Sequence, residues 1–196
     1  MATLSRAAVR RWPGICVPSW RKVGVGNGMI EIRSAELDDL PGILAVYNEV
    51  IATSTAVYTD AAVTLENRRA WFESRRSAGY PVLVGVDASG VAGFASFGEF
   101  RGAFSGYRFT VEHSVHIRSD LRGHGLGRRL VEALFPLAQA RKVHVMVGAI
   151  DAANAGSIRF HEKLGFFQAG TLREVGRKFD RWLDLVFLQR FMEGQP

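Results

Sequence analysis

The sequence predicts an α/β fold with a mixed sheet and helices on both faces, and three observations carry that prediction. Strand-like and helix-like segments interleave along the chain instead of segregating. Two apolar runs, Val82 to Val86 and Val91 to Phe97, flank a turn at Asp87 to Gly90 and read as a hairpin. Ser114 to Leu134 then passes from an apolar strand-like run through a basic glycine-rich turn into an amphipathic helix pattern.

Taken in order, residues 1–29 are arginine-rich and acid-free, with Pro13, Pro18 and glycines close to Met29. They read as a disordered or weakly ordered basic extension without the continuous apolar segment of a secretory signal. Met29 stands directly before the first strand-like run, Ile30 to Arg33, and reads as an alternative start; residues 30–196 are the folded domain. Leu40, Ile43, Leu44, Tyr47, Val50 and Ile51 follow helical spacing, with Asp38 and Asp39 suited to the first turn. Thr53 to Ala62 is a loop over the site. A second helix runs from Thr64, its N-cap, to about Ala78, where Gly79 ends it before Pro81. After the hairpin come a glycine- and aromatic-rich loop, Gly98 to Tyr107, and a long strand, Phe109 to Ile117. The helix after the glycine turn carries Leu126, Leu130, Leu134 and Leu137 on one face, and Pro136 within it predicts a kink or an early last turn. A β-branched run, Lys142 to Ile150, a short helix, Asn154 to Lys163, and two last strands, Phe167 to Leu172 and Trp182 to Phe191, complete the chain.

Composition narrows the function. With 196 residues, 47% hydrophobic and 22% charged, the chain is long enough for one domain with a sizeable core. The net charge of +6 belongs mostly to Arg6, Arg10, Arg11, Arg21 and Lys22, so the remaining chain is close to balanced. That disfavours nucleic acid, which calls for bases clustered on a folded face. No apolar run reaches the roughly 20 residues of a membrane span. Cys16 is the one cysteine, so no intramolecular disulfide and no CxxC metal site forms; a reducing, cytoplasmic setting is expected, with no metal.

The glycine turn is where chemistry enters. Arg122, Gly123, His124, Gly125, Leu126 and Gly127 place three glycines at alternate positions, where backbone N–H groups approach a bulky anion, and the helix that follows points its positive end at the same spot. A P-loop would continue with Gly-Lys-Ser/Thr, but Gly127 is followed by Arg128 and Arg129. A dinucleotide fingerprint would follow the first strand of a βαβ unit, whereas this turn lies past the middle of the chain. The pattern Arg-Gly-x-Gly-Leu-Gly resembles the pyrophosphate loop of the GCN5-related N-acetyltransferases.

That resemblance extends. AIDAANAGSIRFHEKLGF, residues 149–166, is similar to the superfamily's second cofactor motif, and YPVLV (80–84), YRFTVEHSVHI (107–117) and VGRKFDRWLDL (175–185) resemble its phosphinothricin and methionine sulfoximine acetyltransferase branch. It covers Ile30 to about Leu188 and implies a mostly antiparallel central sheet, acetyl-coenzyme A as co-substrate, a small-molecule amine acceptor and a homodimer. Two departures fall in the loop, where Phe100 rather than tryptophan precedes Arg101 and one residue is added around Gly102 to Gly106; a third places His116 between Val115 and Ile117.

Acetyl transfer from a thioester to an amine needs a held cofactor, a neutral amine, a stabilised oxyanion and a proton for the leaving thiolate. The resemblance implies that Gly123, His124, Gly125, Leu126, Gly127 and Arg128, with Arg122, hold the pyrophosphate, that Val115, His116 and Ile117 pair with the pantetheine arm, and that Asn154 contacts the cofactor. Glu112 is the first choice for general base, with binding of the acceptor ammonium as its rival role; His113, adjacent, could do either job, but neighbouring strand residues face opposite ways, so one of the pair faces the acceptor and Ser114 shares Glu112's side. His161 occupies the position where family members often carry a tyrosine acid. Arg101, with its guanidinium fork, and Phe100 are the candidate acceptor contacts. Arg177, Lys178 and Arg181 read as a solvated charge run, with Lys178 or Trp182 as candidate shapers of the site. The predicted activity is acetyl transfer to the amino group of a small amino-acid analogue; the alternatives are another amine or a protein N-terminus, or a non-catalytic acetyl-coenzyme A-binding module.

Overall fold

The computed structural model describes residues 22–25 and 28–192. Its strands are β1 (Lys22–Val25), β2 (Gly28–Ser34), β3 (Val82–Asp87), β4 (Gly90–Glu99), β5 (Thr110–Ile117), β6 (Val145–Asp151), β7 (Phe167–Lys178) and β8 (Arg181–Phe191). They form one sheet in the order β1-β2-β3-β4-β5-β6-β8-β7. Neighbours are antiparallel except β5 and β6, which run parallel. The sheet begins inside the predicted N-terminal extension, because Lys22–Val25 pairs with Gly28–Glu31. The rest of that extension, including Cys16, lies outside the described residues.

Among the described residues four α-helices cover the sheet: α1 (Leu40–Thr53), α2 (Leu65–Ser77), α3 (Leu126–Ala140) and α4 (Ala155–Glu162). Alternation along each strand sends side chains to two cores. Leu83, Phe97 and Val111 pack with Leu126, Leu130 and Leu134 of α3, and Ile158 and Phe160 of α4 join them. Val82, Val84 and Phe94 pack on the other face with Ile43 and Val46 of α1 and Phe72 of α2. Central strands covered on both faces read as continuous apolar runs, as β3 does.

Local chemistry sets the element ends. The Thr64 hydroxyl accepts the Asn67 N–H at 3.2 Å and starts α2. Pro136 does not end α3 early; the helix continues to Ala140. Pro136 and Glu132, the residue whose carbonyl loses its intrahelical partner, both lie on the exposed side of the helix. The last hairpin is longer than its sequence suggests: β7 runs to Lys178, and a tight turn at Phe179 and Asp180, with φ of 50° and 57°, joins it to β8. No helix among the described residues is long and apolar enough to cross a membrane.

The feature that positions the site is a gap. β5 and β6 pair only from Thr110↔Val145 to Glu112↔Val147, after which β5 continues to Ile117 and β6 to Asp151 without pairing to each other. The sheet therefore opens beside His113 and Gly148.

Candidate active site

A cleft of about 310 Å³ occupies that opening. Glu112, His113, Ser114, Val115 and His116 of β5 form one wall, and Gly148 to Asp151 with Asn154, Ser157 and His161 form the opposite one. Tyr47, Ala56, Val57, Arg68, Trp71 and Arg75 close it from α1, α2 and the loop between them. The cleft reaches both faces of the sheet because the strands part there.

On the α1–α2 face, Glu112 and Ser114 project together, as their spacing predicts. Burial raises the Glu112 pKa above the ordinary carboxylate value, and the Arg75 charge pulls it back. Arg75 is a residue that sequence reasoning missed. Its Nε is buried without a hydrogen-bond partner, and Gly98 makes room for it, since a Cβ there would lie 1.2 Å from the guanidinium Nη1. Arg68, also missed, is buried; its guanidinium bonds to Asn67 Oδ1 at 2.7 Å and stacks 4.2 Å from the Tyr47 ring centroid. A signal existed: Arg68, Phe72 and Arg75 share one stripe of α2, so arginines stand where an amphipathic helix places apolar residues.

His116 shares this face. Its ring sits 5.4 Å from Tyr47, edge-on, and 5.1 Å from Phe94; burial, then Arg68 and Arg122, lowers its pKa to about 4. What it offers a strand-like ligand is its backbone.

On the α3–α4 face, His113 is only 5% exposed, and its ring lies 5.1 Å from His161 and 5.2 Å from Phe166. Burial, reinforced by His161 and His116, lowers its pKa to about 3, and both ring nitrogens are buried without partners. His113 thus faces away from Glu112, on the opposite side of the strand, and its burial opposes protonation. His161 also lines the cleft on this face. Its Nδ1–H donates to the Ser157 carbonyl at 2.7 Å, which leaves a lone pair on Nε2, and burial lowers its pKa. In the neutral ring this hydrogen bond selects the tautomer with the proton on Nδ1 and the lone pair on Nε2.

The glycine turn is built as predicted. Gly123 and Gly125 have φ of 81° and 86°, which favours glycine, and open space surrounds each. Leu126, Gly127 and Arg128 are the first residues of α3, whose N–H groups the helix itself leaves unpaired. They lie at its positive end, an anion site by construction. Arg122 donates from Nε to the Ile117 carbonyl at 3.1 Å and Arg128 to Glu132 at 2.8 Å, while His124 Nδ1 is 2.9 Å from the Arg122 carbonyl. Asn154 caps α4, its Oδ1 accepting the Ser157 N–H at 3.0 Å, and it lines the cleft. The unpaired β5 edge from His113 to Ile117 suits an amide-bearing arm. These features together fit acetyl-coenzyme A.

The predicted acceptor contacts Phe100 and Arg101 do not line the cleft. Phe100 packs on Tyr107 and Phe187 at 5.7 and 6.5 Å, and the Arg101 guanidinium lies 5.6 and 5.5 Å from the Phe104 and Tyr107 centroids on the exposed loop. Ring stacking draws Arg101 away from the cleft.

Comparison with known proteins matches residues 43–166 to the model of the acetyltransferase (GNAT) family. An L-methionine sulfoximine/L-methionine sulfone acetyltransferase of Pseudomonas paraeruginosa is 52% identical over 159 residues, covering 81% of this chain and 92% of that protein. Among solved structures, an N-acetyltransferase from Staphylococcus aureus superposes with a TM-score of 0.81 at 41% identity, covering 84% of this chain and 99% of the other. A phosphinothricin acetyltransferase from Sinorhizobium meliloti, in complex with acetyl-coenzyme A, does so at 0.79 and 32%, covering 83% and 88%. GNAT acetyltransferases use acetyl-coenzyme A, and this chain belongs to that family of acyltransferase enzymes.

Proposed function

We propose that this protein transfers an acetyl group from acetyl-coenzyme A to the α-amino group of a small amino-acid analogue of the methionine sulfoximine, methionine sulfone or phosphinothricin type. The observation that carries the reading is the charge pattern of the cleft's α1–α2 side: Glu112 stands beside two buried or half-buried guanidinium groups, Arg75 and Arg68, while the second lining carboxylate, Asp151, is engaged by the Thr55 hydroxyl. A zwitterionic acceptor matches it, with its amine at Glu112 and its carboxylate at Arg75. The 52% identical relative named for methionine sulfoximine and sulfone supports the same class.

Acetyl-coenzyme A supplies the activated acyl carbon. Gly123 to Arg128 would hold its pyrophosphate, Val115 to Ile117 would pair with its arm, and a backbone N–H near Val115 would polarise the acyl carbonyl. Glu112 takes the ammonium proton, directly or through water, because α-amino groups are mostly protonated at neutral pH. With His161 Nε2 carrying a lone pair, proton delivery to the sulfur falls to the attacking amine or to water. The enzyme works as a homodimer: the edge hairpin β7–β8 exposes Leu172, Val175, Phe179 and Trp182, an apolar surface that a second copy covers. A cytoplasmic location suits a chain with one cysteine.

The test is thiol release from acetyl-coenzyme A over a panel of methionine sulfoximine, methionine sulfone, phosphinothricin and amines lacking a carboxylate. Turnover confined to the amino-acid members is expected. Turnover on the carboxylate-free amines alone would contradict it.

A further inference from the structure

Lys178 reads from sequence as part of a solvated charge run, yet it is 1% exposed. Its Nζ donates to the carbonyls of Ile51, Ser54 and Val57 at 2.6, 2.8 and 2.8 Å. An ammonium has three N–H donors, and here each meets one carbonyl, so the geometry is that of the protonated lysine. Ile51 lies in the last turn of α1, where carbonyls lack intrahelical partners and the helix dipole favours a cation.

The carbonyls it gathers belong to the segment that walls the cleft, where Ala56 and Val57 are lining residues. Two neighbours tie the same segment to the sheet. The Thr55 hydroxyl donates to the Asp151 carboxylate, and the Tyr58 hydroxyl donates to the Asp184 carbonyl at 3.0 Å. Gly176 of β7 leaves room for the Tyr58 ring, which a Cβ would approach to 2.1 Å. A loop of small and β-branched residues is thus carried by three strands, with one buried cation at the centre of the attachment.

We propose that Lys178 is a positioning residue for the acceptor: by holding the carbonyls of Ile51, Ser54 and Val57, it fixes the wall that Ala56 and Val57 present to the cleft on the side of Glu112. The inference rests on the cleft being the acceptor site. It makes acceptor affinity depend on the β7–β8 hairpin, although that hairpin supplies no lining residue.

The test compares Lys178→Met and Lys178→Gln with the wild type, using methionine sulfone as acceptor, calorimetric titration of acetyl-coenzyme A, and amide hydrogen exchange across residues 51–58. Acceptor KM is expected to rise about tenfold in Lys178→Met and less in Lys178→Gln, which keeps a donor, because a wall misplaced by about an ångström weakens orientation. Acetyl-coenzyme A affinity should stay within about twofold, since the pyrophosphate turn is untouched. Exchange at 54–58 should accelerate in both variants. Tyr58→Phe, which loosens the same segment and leaves Lys178 in place, should raise acceptor KM about threefold, the loss of one net hydrogen bond. It carries the test if the Lys178 variants do not fold. Acceptor KM within twofold of wild type, or equal losses of acceptor and cofactor affinity, would overturn the proposal. Absence of wild-type turnover on any amino-acid acceptor would count against the acceptor reading instead; exchange still reads the Lys178 tie, and unchanged exchange in the variants would overturn it.

Discussion

Glu112 and His113 are adjacent on β5, yet they serve two different environments. Glu112 opens onto the α1–α2 side with Arg75 facing it, whereas His113 turns to the α3–α4 side and packs against His161 and Phe166. Burial pushes both toward their neutral forms, raising the carboxylate's pKa and lowering the imidazole's. Only Glu112 has a counter-charge that opposes the push. The difference teaches that strand alternation sorts the chemistry: one side of the cleft sets an ionisable carboxylate against an arginine, the other packs two imidazoles whose burial disfavours their charged forms.

Four substitutions break or sharpen this contrast. Glu112→Gln should have the largest effect, lowering kcat by about 10²-fold or more, the range for a general base, with acetyl-coenzyme A affinity unchanged in calorimetry. Arg75→Met should raise acceptor KM about tenfold or more in steady-state assays, as loss of a charge-assisted contact does, while an amine without a carboxylate should be hardly affected. His161→Gln should lower kcat by no more than about fivefold, because a general acid would cost about 10²-fold or more. Arg101→Ala should change acceptor KM by less than about twofold, as expected of an exposed loop arginine stacked on its own neighbours.

Much of the fold was legible because its signals are local. The glycine turn, the Thr64 and Asn154 caps and the β3–β4 hairpin each follow from residues a few positions apart. So did the pairing of Glu112 with Ser114, which needs only the period of a strand. What escaped is non-local. Arg75 becomes a cleft residue only because Gly98 of β4 leaves it space. Lys178 is buried only because the end of α1, over 120 residues earlier in the chain, brings three carbonyls to it. Phe179 and Asp180 form the last turn with positive φ and no glycine to announce it. The acid candidate His161 came from position in a motif; that the Ser157 carbonyl, one turn back on the same helix, engages its Nδ1 is a feature of the folded helix.

The pH dependence of kcat under saturating substrates tests the division most directly. Glu112 acts when ionised, so activity falls as pH drops through its pKa, which burial places above the ordinary carboxylate value. The acid limb should move to higher pH in Arg75→Met, where the charge that lowers the Glu112 pKa is gone, and should vanish in Glu112→Gln. An acid limb at the same pH in wild type and both variants would contradict the assignment of Glu112 as base and of Arg75 as the charge that tunes it.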